Sequence, residues 1–399
     1  MRFWPNLLLI FILISCHFLH TFGQAWQACP NFPGIARDDA AVFSFGNLHF
    51  CGTGRGLDFG CTKDFYCYNS QNNTWTSAPA LPEWQDRQYA TSFSFQGQGY
   101  LLGGENCYGT YLKTFWQFDL QTYTWHALPD FPGSGRAGAQ HFLLDSTLYW
   151  IGGRNQTGIL NEVWRFHFGN QQWEQLNNLP FEGIWRGIGF ANNASGFIAC
   201  GRTNDQNQTG WNSETWQYNA ANDQWTAITS QINLGTRMYV GTAQNDSLLF
   251  VFGGVNANDE VLNSLEKINL NNFQIETLLP FSSTSRKGCV AFCGNDYFFL
   301  STGISGNDRL NETWKIAYSP EAEIKDEAYF EVQTSMQDAS LLIQIPAAWI
   351  GEELQLMDLQ GRIIHAFTLT AVKQQLSIAN LPSGTYLVGV HGFTKKCLR

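Results

Sequence analysis

The chain has 399 residues and a formal net charge of −10 at pH 7, with only 14% charged but 15% aromatic residues. Its length accommodates more than one domain, and its acidic balance argues against binding to nucleic acid or to an anionic membrane surface. The many Trp and Phe side chains instead favour packed β-structure.

Residues 1–24 are predicted to be a signal peptide. Arg2 precedes an apolar run from Leu7 to Ser15, which is too short to span a membrane. Cleavage is expected near Gly23. Alternatively, the stretch that ends at Cys16 resembles the lipobox of bacterial lipoproteins, and Cys16 would then be acylated. Both alternatives predict an exported protein.

From residue 25 to residue 320, one pattern returns six times at intervals of about fifty residues. Each unit starts with an arginine and continues to a glycine pair or its small equivalent. The arginines are Arg37, Arg87, Arg136, Arg186, Arg237 and Arg286, and the pairs end at Gly54, Gly104, Gly153, Gly201, Gly254 and Gly303. Two aromatic columns follow, except in the fifth unit, which has Glu266 and Ile275 there. Such a period predicts a radial array of small antiparallel sheets.

Within a unit, short apolar runs alternate with turn-forming residues. In the third unit, strands are predicted at 137–144, at 148–153, at 162–167 and around Trp173. The pairs Gly103-Gly104, Gly152-Gly153 and Gly253-Gly254, together with the spaced aromatic residues, resemble the kelch repeat. The resemblance implies an all-β fold, a six-bladed β-propeller with four strands in each blade.

The two ends of the array predict how the propeller closes. The sixth unit reaches its third strand at 312–316, but the chain has Pro320 and Glu321 near the place of a fourth strand. Trp26 is in phase with the aromatic column of the outer strands, and residues 25–33 parallel residues 124–132. We therefore predict that the mature N-terminus supplies the outer strand of the last blade, which removes the open edges of a linear array.

Chain direction places the starts of the first strands and the loops between the second and third strands at the same mouth of the channel. The longest of these loops are 55–62, 105–111, 202–211 and 255–260. The six arginines are therefore candidates to bind a carboxylate or sulfate there. The alternative is that each arginine ties a loop to its neighbour. Tyr108, Tyr111 and Trp211 are candidates for a sugar-stacking surface, or else pack against adjacent blades.

Nine cysteines remain besides Cys16, so at least one is free or paired externally. Cys61 is predicted to bond to Cys67 or Cys107, because all three lie in or beside loops of the first two blades. Cys289 and Cys293 share one face of a strand about 13 Å apart and cannot bridge each other. No spacing of cysteine and histidine indicates a zinc site, and neither a metal nor a cofactor is expected.

Residues 325–399 lie outside the period and are predicted to form a small β-sandwich, with strands near 330–333, 341–345, 354–357, 363–367 and 386–390. The stretches 356–364 and 381–386 and the basic residues 394–396 resemble the type IX secretion sorting domain, although the usual Pro-Asn-Pro entry motif is missing. The resemblance implies a Bacteroidetes-type protein that the type IX secretion machinery delivers outside the cell. The alternative is a generic accessory sandwich.

These features together favour a secreted or outer-membrane surface propeller, exported through the periplasm, that binds or adheres to glycan or protein partners. The alternative is a carbohydrate-active enzyme such as an N-acetylneuraminate epimerase, because an arginine-lined mouth suits a carboxylated sugar. No phosphate loop, catalytic triad or paired-carboxylate motif is present, so no catalytic residue is assigned. An inward-facing Glu or His within reach of two arginines at the mouth would favour the enzyme.

Overall fold

The computed structural model describes residues 25–192, 194–205, 209–294, 296–318, 331–335, 339–345, 350–358, 362–390 and 393–398. Strands, turns and loops make up these ranges, and none of them contains a helix able to cross a membrane. The predictions for the signal peptide and for the lipobox at Cys16 fall outside the described residues.

The strands of the propeller alternate with short loops, as the period of the sequence predicts. The first half contains β1 (Gln27–Cys29), β2 (Arg37–Asp38), β3 (Ala41–Phe45), β4 (Leu48–Gly52), β5 (Arg55–Gly56), β6 (Phe65–Asn69), β7 (Thr74–Ala78), β8 (Thr91–Phe95), β9 (Gln98–Leu102), β10 (Phe115–Asp119), β11 (Thr124–Leu128), β12 (Gln140–Leu144), β13 (Thr147–Ile151), β14 (Arg154–Asn155), β15 (Gly158–Ile159), β16 (Val163–His167) and β17 (Gln172–Gln175). The second half contains β18 (Ile188–Ala191), β19 (Gly196–Ala199), β20 (Trp216–Asn219), β21 (Gln224–Ala227), β22 (Arg237–Met238), β23 (Gly241–Gln244), β24 (Leu248–Phe252), β25 (Val255–Asn256), β26 (Leu265–Asn269), β27 (Ile275–Thr277), β28 (Val290–Cys293), β29 (Tyr297–Ser301), β30 (Ile304–Ser305), β31 (Asp308–Arg309) and β32 (Thr313–Ala317).

These strands form six antiparallel sheets of four strands each, which are the blades. In order along the chain, the blades are β3-β4-β6-β7, β8-β9-β10-β11, β12-β13-β16-β17, β18-β19-β20-β21, β23-β24-β26-β27 and β28-β29-β32-β1. Four short two-stranded sheets, β2-β5, β14-β15, β22-β25 and β30-β31, lie outside the blades.

The sixth blade takes its outer strand from the start of the described chain. β1 pairs with β32 in antiparallel register, Ala28 opposite Trp314. Trp26, just before β1, is buried against Phe281, with ring centroids 4.8 Å apart. This pairing agrees with the strand predicted from the phase of Trp26.

Buried aromatic and aliphatic side chains fill the space between neighbouring blades. Phe50 and Phe118 join the first two blades, and Phe250 and Phe298 join the fifth and sixth. Tyr68 of the first blade packs against Phe292 and Phe299 of the sixth. The unusually high aromatic content is therefore accounted for by packing between sheets, where large flat side chains bury the most area.

One disulfide joins the first two blades, between Cys61 and Cys107, so the second of the two predicted pairings is the one present. Cys289 and Cys293 are both free, which is consistent with their separation along one strand.

The C-terminal part forms two sheets around one core. Its strands are β33 (Glu331–Ser335), β34 (Ser340–Gln344), β35 (Glu353–Met357), β36 (Ile363–Thr368), β37 (Lys373–Ser377), β38 (Thr385–Val390) and β39 (Phe393–Leu398). The sheets are β33-β34-β37 and β36-β35-β38-β39, and Leu341, Ile343, Leu356 and Val388 lie in the core that they share. Sequence reasoning found five of these strands. It missed β37, which is mostly polar, and β39, whose Lys395 and Lys396 suggested a basic terminus instead.

Candidate functional site

Four of the six repeat arginines are fully buried inside the propeller. In each, Nη1 donates a hydrogen bond of 2.9–3.2 Å to a carbonyl oxygen sixteen residues later, at the first position of the glycine pair. The pairs of donor and acceptor residues are Arg37 and Thr53, Arg87 and Gly103, Arg136 and Gly152, and Arg286 and Thr302. All four arginines are 0% exposed. These arginines therefore hold the glycine-pair turn against the start of the blade.

An acidic side chain 26 or 27 residues further along neutralises three of these arginines. Asp64, Glu162 and Glu312 accept from Arg37, Arg136 and Arg286 at 2.6, 2.5 and 2.6 Å. Arg87 has the hydroxyl of Thr114 at the equivalent place, at 3.1 Å. Burial lowers the pKa of Arg87 to about 9 despite the opposing charge of Asp86.

The fifth blade uses a different carboxylate for the same purpose. Arg237 Nη1 donates to Glu266 at 2.9 Å, and both side chains are only 12% exposed. Glu266 stands where the other units have an aromatic residue, and it supplies the carboxylate that pairs with Arg237. Together these contacts correct the prediction that the arginines line the channel mouth, because five of them are structural groups within their blades.

Arg186, the remaining arginine, does not occupy the structural position that the other five arginines share. In the other blades the second glycine of a pair donates its amide to the carbonyl of the next arginine, as Gly104 does to Arg136 at 2.9 Å. Gly153 donates instead to the carbonyl of Ile184, at 2.8 Å. Ile184 therefore occupies the arginine position of the fourth blade, and Arg186 lies two residues beyond it. The prediction that Arg186 is the repeat arginine of the fourth unit was therefore wrong, because the equivalent position lies two residues earlier.

Arg186 belongs to a ring of six residues, one from each blade, which we call the axial ring. Its members are Asp39, Tyr89, Gly138, Arg186, Tyr239 and Gly288, all with φ between 55° and 62°. Their amides bond around the ring, for example Asp39 to the Gly288 carbonyl at 2.7 Å and Arg186 to that of Gly138 at 2.9 Å. A Cβ on Gly138 would lie 2.7 Å from Trp185 Nε1, so both the backbone and the space require glycine there.

The side chains of the axial ring form a buried charged cluster. Arg186 Nη1 and Nη2 donate to one Asp39 oxygen at 2.9 and 2.5 Å. The guanidinium carbon lies 3.6 Å from the centre of the Tyr89 ring and 3.7 Å from that of Tyr239, so the cation is held between two aromatic faces. Burial raises the pKa of Asp39 to about 8, against the opposing effect of Arg186.

The axial channel is bounded by the first strands of the blades and has a volume of about 680 Å³. Ser92, His141, Thr242 and Cys293 are among its lining residues, and a smaller cavity of about 150 Å³ adjoins the axial ring. Burial lowers the pKa of His141 to about 4 and raises that of Cys293 to about 12, so both groups are neutral near pH 7. Within the described ranges, no group of three or more His, Cys, Asp or Glu side chains suits a metal ion.

Arginines do reach the loop face of the propeller, at a position that sequence reasoning did not consider. Arg55, Arg154 and Arg202 each directly follow a glycine pair. Each stacks its guanidinium on a neighbouring ring: Arg55 on Phe59 at 5.0 Å, Arg154 on Trp185 at 5.3 Å, and Arg202 on Trp211 at 5.1 Å. We call these three residues the mouth arginines. The available signal was the residue type after the glycine pair, which is Arg in three of six units.

The second blade has Glu105 at the same position. Burial raises the pKa of this carboxyl, while Arg55, Arg154 and Arg186 act to lower it. Antiparallel bridges join the mouth positions to the residues just before the axial ring: Glu105 to Gln88, Arg154 to Ala137, and Arg202 to Trp185. The mouth arginines and Glu105 therefore surround the approach to the ring.

Three buried polar atoms near this approach have no hydrogen-bond partner among the described residues. They are Gln88 Oε1, Arg154 Nε and Trp185 Nε1. Unpaired buried polar groups are uncommon in proteins because each loses its hydrogen bonds to water. Donors and an acceptor are thus present at the mouth for a polar ligand.

The three predicted aromatic candidates are placed differently. Tyr108 is 86% exposed at the tip of its loop. Tyr111 and Trp211 are half-buried and bridge to Glu105 and Arg202, respectively, so each forms a wall of the mouth. The structure brings Trp211 next to a mouth arginine, whereas the predicted repeat arginines lie elsewhere.

Comparisons with known proteins agree with this architecture. Residues 39–239 match the family model described as the KLHDC2/KLHL20/DRC7 Kelch-repeats domain. The chain is similar to Kelch-like protein 40 of Xenopus tropicalis, with 28% identity over 167 residues, which is 40% of this chain and 25% of that protein. It is also similar to Beta-scruin of Limulus polyphemus, with 27% identity over 147 residues, 35% of this chain and 15% of that protein. The chain thus spans a quarter or less of the length of these relatives.

Proposed function

The chain belongs to the kelch-repeat family, and from this we propose that its propeller is a binding module for a protein or glycan partner that carries carboxylate groups. One observation carries the proposal: three guanidinium groups follow the glycine pairs at the loop face, each stacked on an aromatic ring. A planar, always charged guanidinium held in place by stacking is suited to a carboxylate, because two parallel N–H donors match its two oxygens.

Charge at the mouth supports an anionic partner. Arg154 is 36% exposed, and its ion pair with the half-exposed Asp205 is long, at 3.5 Å. A surface pair of this kind contributes little, so an incoming carboxylate can replace it. Lys287 adds a cation beside Tyr239, with its Nζ 5.3 Å from the ring centre.

The test uses the mature full-length protein on an array of sialylated and neutral glycans and on matched sets of acidic and neutral peptides. We expect retention of carboxylate-bearing probes and a loss of at least about tenfold in affinity for the double variant Arg154→Gln/Arg202→Gln. Arg165→Gln is the matched control, because Arg165 pairs with Glu174 on β16 and β17 of a blade. Equal retention of acidic and neutral probes by the native protein would contradict the proposal.

A second candidate is the carbohydrate-active enzyme, an N-acetylneuraminate epimerase, and Glu105 is the observation that favours it. This carboxyl lies near Arg55 and Arg154 and has a raised pKa, as an acid or base acting on a carboxylated sugar requires. NMR exchange between the anomers of N-acetylneuraminate measures the activity. Enhanced exchange that disappears in Glu105→Gln supports the enzyme, and binding of sialylated glycans without turnover excludes it.

We further propose that the protein is exported and that residues 325–399 are a type IX secretion sorting domain. The resemblance of residues 356–364 and 381–386 to that domain is the basis of this proposal, and the two-sheet sandwich supports it. Deletion of residues 325–399 should retain the protein in the periplasm of the producing cell, as measured by fractionation. Normal surface delivery of the truncated chain would refute the sorting assignment.

A further inference from the structure

Large apolar side chains are exposed on the loops of the first two blades. Leu57 and Phe59 are each 61% exposed, Trp84 is 83% exposed and Tyr108 is 86% exposed, and Ile35 beside them is 50% exposed. We call these five residues the loop patch. Exposed apolar clusters of this kind are uncommon in monomeric proteins and mark contact sites. The other large apolar residues exposed on the described propeller are Tyr123, Ile275 and Leu279.

The loops that carry this patch are held in place by several independent contacts. The Cys61–Cys107 disulfide joins the loop of Phe59 to the loop of Tyr108. Asn106 Oδ1 accepts hydrogen bonds from the amides of Tyr108 and Thr110 at 3.1 and 2.9 Å. Pre-organised loops lose little conformational entropy on binding, so side chains displayed on them bind more tightly than those on mobile loops.

Two of the patch residues also have an unfavourable backbone conformation. Phe59 and Trp84 have φ of 61° and 64°, in the left-handed region that bulky residues avoid. Their rings do not recover this strain by burial, since both are largely exposed. Backbone strain of this kind clusters at binding and functional sites.

The patch continues directly into the mouth. Arg55, one of the mouth arginines, lies over the Phe59 ring and also donates from Nε to the Phe59 carbonyl at 3.3 Å. Arg309 lies over the same ring at 5.0 Å, although its charge is taken up by Asp38 at 2.5 Å. A bound segment that covers Phe59 therefore meets the Arg55 guanidinium next.

The composition of the patch favours a protein over a sugar. Leu57 and Ile35 are aliphatic and offer a sugar neither a flat ring nor a hydrogen bond. Polar groups beside them are engaged within the loops, since Asp58 Oδ1 accepts from the Gly60 amide at 3.0 Å and Asn106 Oδ1 accepts two amides. Apolar side chains of a partner protein, by contrast, gain from covering aliphatic and aromatic surface together.

We propose that the loop patch is the docking surface for a segment of a partner protein that presents an aromatic or aliphatic side chain next to a carboxylate. The apolar side chain covers Leu57, Phe59 and Tyr108, and the carboxylate binds Arg55. This inference rests on the proposed function, because it assigns the second half of the contact to the same loop face. To the proposed function it adds which blades contact the partner and which chemical groups the partner presents.

Selection of random linear peptides displayed on phage against the immobilised full-length protein tests the proposal. We expect the enriched peptides to share an acidic residue beside an aromatic or aliphatic one. Their affinity should fall by at least about tenfold in the variant Leu57→Ser/Tyr108→Ser, as for residues at the centre of a contact. The matched control is Ile275→Ser/Leu279→Ser, which removes two side chains that are 40% and 47% exposed on the fifth blade.

The outcomes separate this inference from the function on which it rests. Acidic peptides that depend on Arg154 and Arg202 but bind the Leu57→Ser/Tyr108→Ser variant unchanged would overturn the docking surface and leave the carboxylate-binding function standing. Failure to enrich any peptide would overturn the inference. Dimerisation of the native protein that the Leu57→Ser/Tyr108→Ser variant abolishes would also overturn it, because the patch would then bind a second copy of the chain. The inference would also be refuted if the native protein retained only glycans and the Leu57→Ser/Tyr108→Ser variant retained them equally well.

Discussion

The charged cluster of the axial ring predicts a large and measurable contribution to stability. Arg186→Gln removes the cation that pairs with Asp39 and that lies between Tyr89 and Tyr239. Removing one partner of a buried ion pair costs about 3–5 kcal/mol. The low end applies here, because burial already raises the pKa of Asp39 to about 8 and the lone carboxyl can take up a proton near neutral pH. We therefore expect a loss of about 3 kcal/mol at pH 7.

The sign of the pH dependence follows from the same residues. Without Arg186, the pKa of Asp39 rises further, since this arginine lowers it in the native protein. A carboxyl whose pKa is raised by folding stabilises the protein at low pH and loses that contribution as the pH rises through the folded-state pKa. The native protein stops losing stability above about pH 8, whereas Arg186→Gln continues to lose it, so the deficit of the variant should be constant from pH 6 to 8 and grow above pH 8 by up to about 1.4 kcal/mol for each pH unit.

Chemical unfolding followed by tryptophan fluorescence measures both effects. Arg165→Gln is the control, because it breaks the partly exposed ion pair with Glu174, which contributes no more than about 1 kcal/mol. The double variant Arg186→Gln/Asp39→Asn should be more stable than the sum of the two single changes predicts, by more than about 1 kcal/mol. A loss for Arg186→Gln no larger than that of the control would refute the role assigned to the axial ring.

Two further predictions concern the blades. Arg136→Lys cannot donate at once to the Gly152 carbonyl and to Glu162, so we expect a loss of about 2–4 kcal/mol in chemical unfolding, against less than about 1 kcal/mol for Arg165→Lys. An equal loss in the two variants would contradict the structural role of Arg136. Burial lowers the pKa of His49 to about 3, so its contribution is present above pH 6.5 and is lost as the pH falls toward 3. Between pH 6.5 and 3, the native protein should therefore lose about 1.4 kcal/mol more stability for each pH unit of acidification than His49→Phe does. The phenylalanine keeps the stacking on Phe292 but cannot take up a proton. Parallel pH profiles of the two proteins would be inconsistent with this prediction.

Much of the fold could be predicted because the repeat makes each blade a copy of the same local pattern. The phase of Trp26 was enough to predict the strand that pairs with β32, since an unpaired outer edge is unfavourable. The function of the arginines was harder to predict from their spacing alone. Spacing shows that a residue recurs but not which way its side chain points, and the acidic residues 26 or 27 positions later were the missing signal.

Arg186 shows why a nearly periodic position can mislead. A shift of two residues leaves the spacing of the repeat almost unchanged, yet it moves the side chain from the blade to the axial ring. The fourth blade has Glu214 at the acidic position, two residues beyond Asn212, whose amide donates to the Gly201 carbonyl as the Leu160 amide does to Gly153. The clue in the sequence was the distance from the arginine to the end of the glycine pair, which is 17 residues in the other five units but 15 residues from Arg186 to Gly201.

The features that distinguish the blades from one another also determine what the loop face can bind. A perfectly repeated propeller would present six equal positions around the mouth, and a ligand could bind in six equivalent orientations. Here the mouth positions of the first, third and fourth blades are Arg and that of the second is Glu105, and among the described residues the disulfide joins the first two blades alone. A partner therefore meets cations, a carboxyl and an apolar patch in one fixed order around the axis. Binding selectivity is expected to reside in these departures from the repeat, while the repeated arginines maintain the scaffold that positions them.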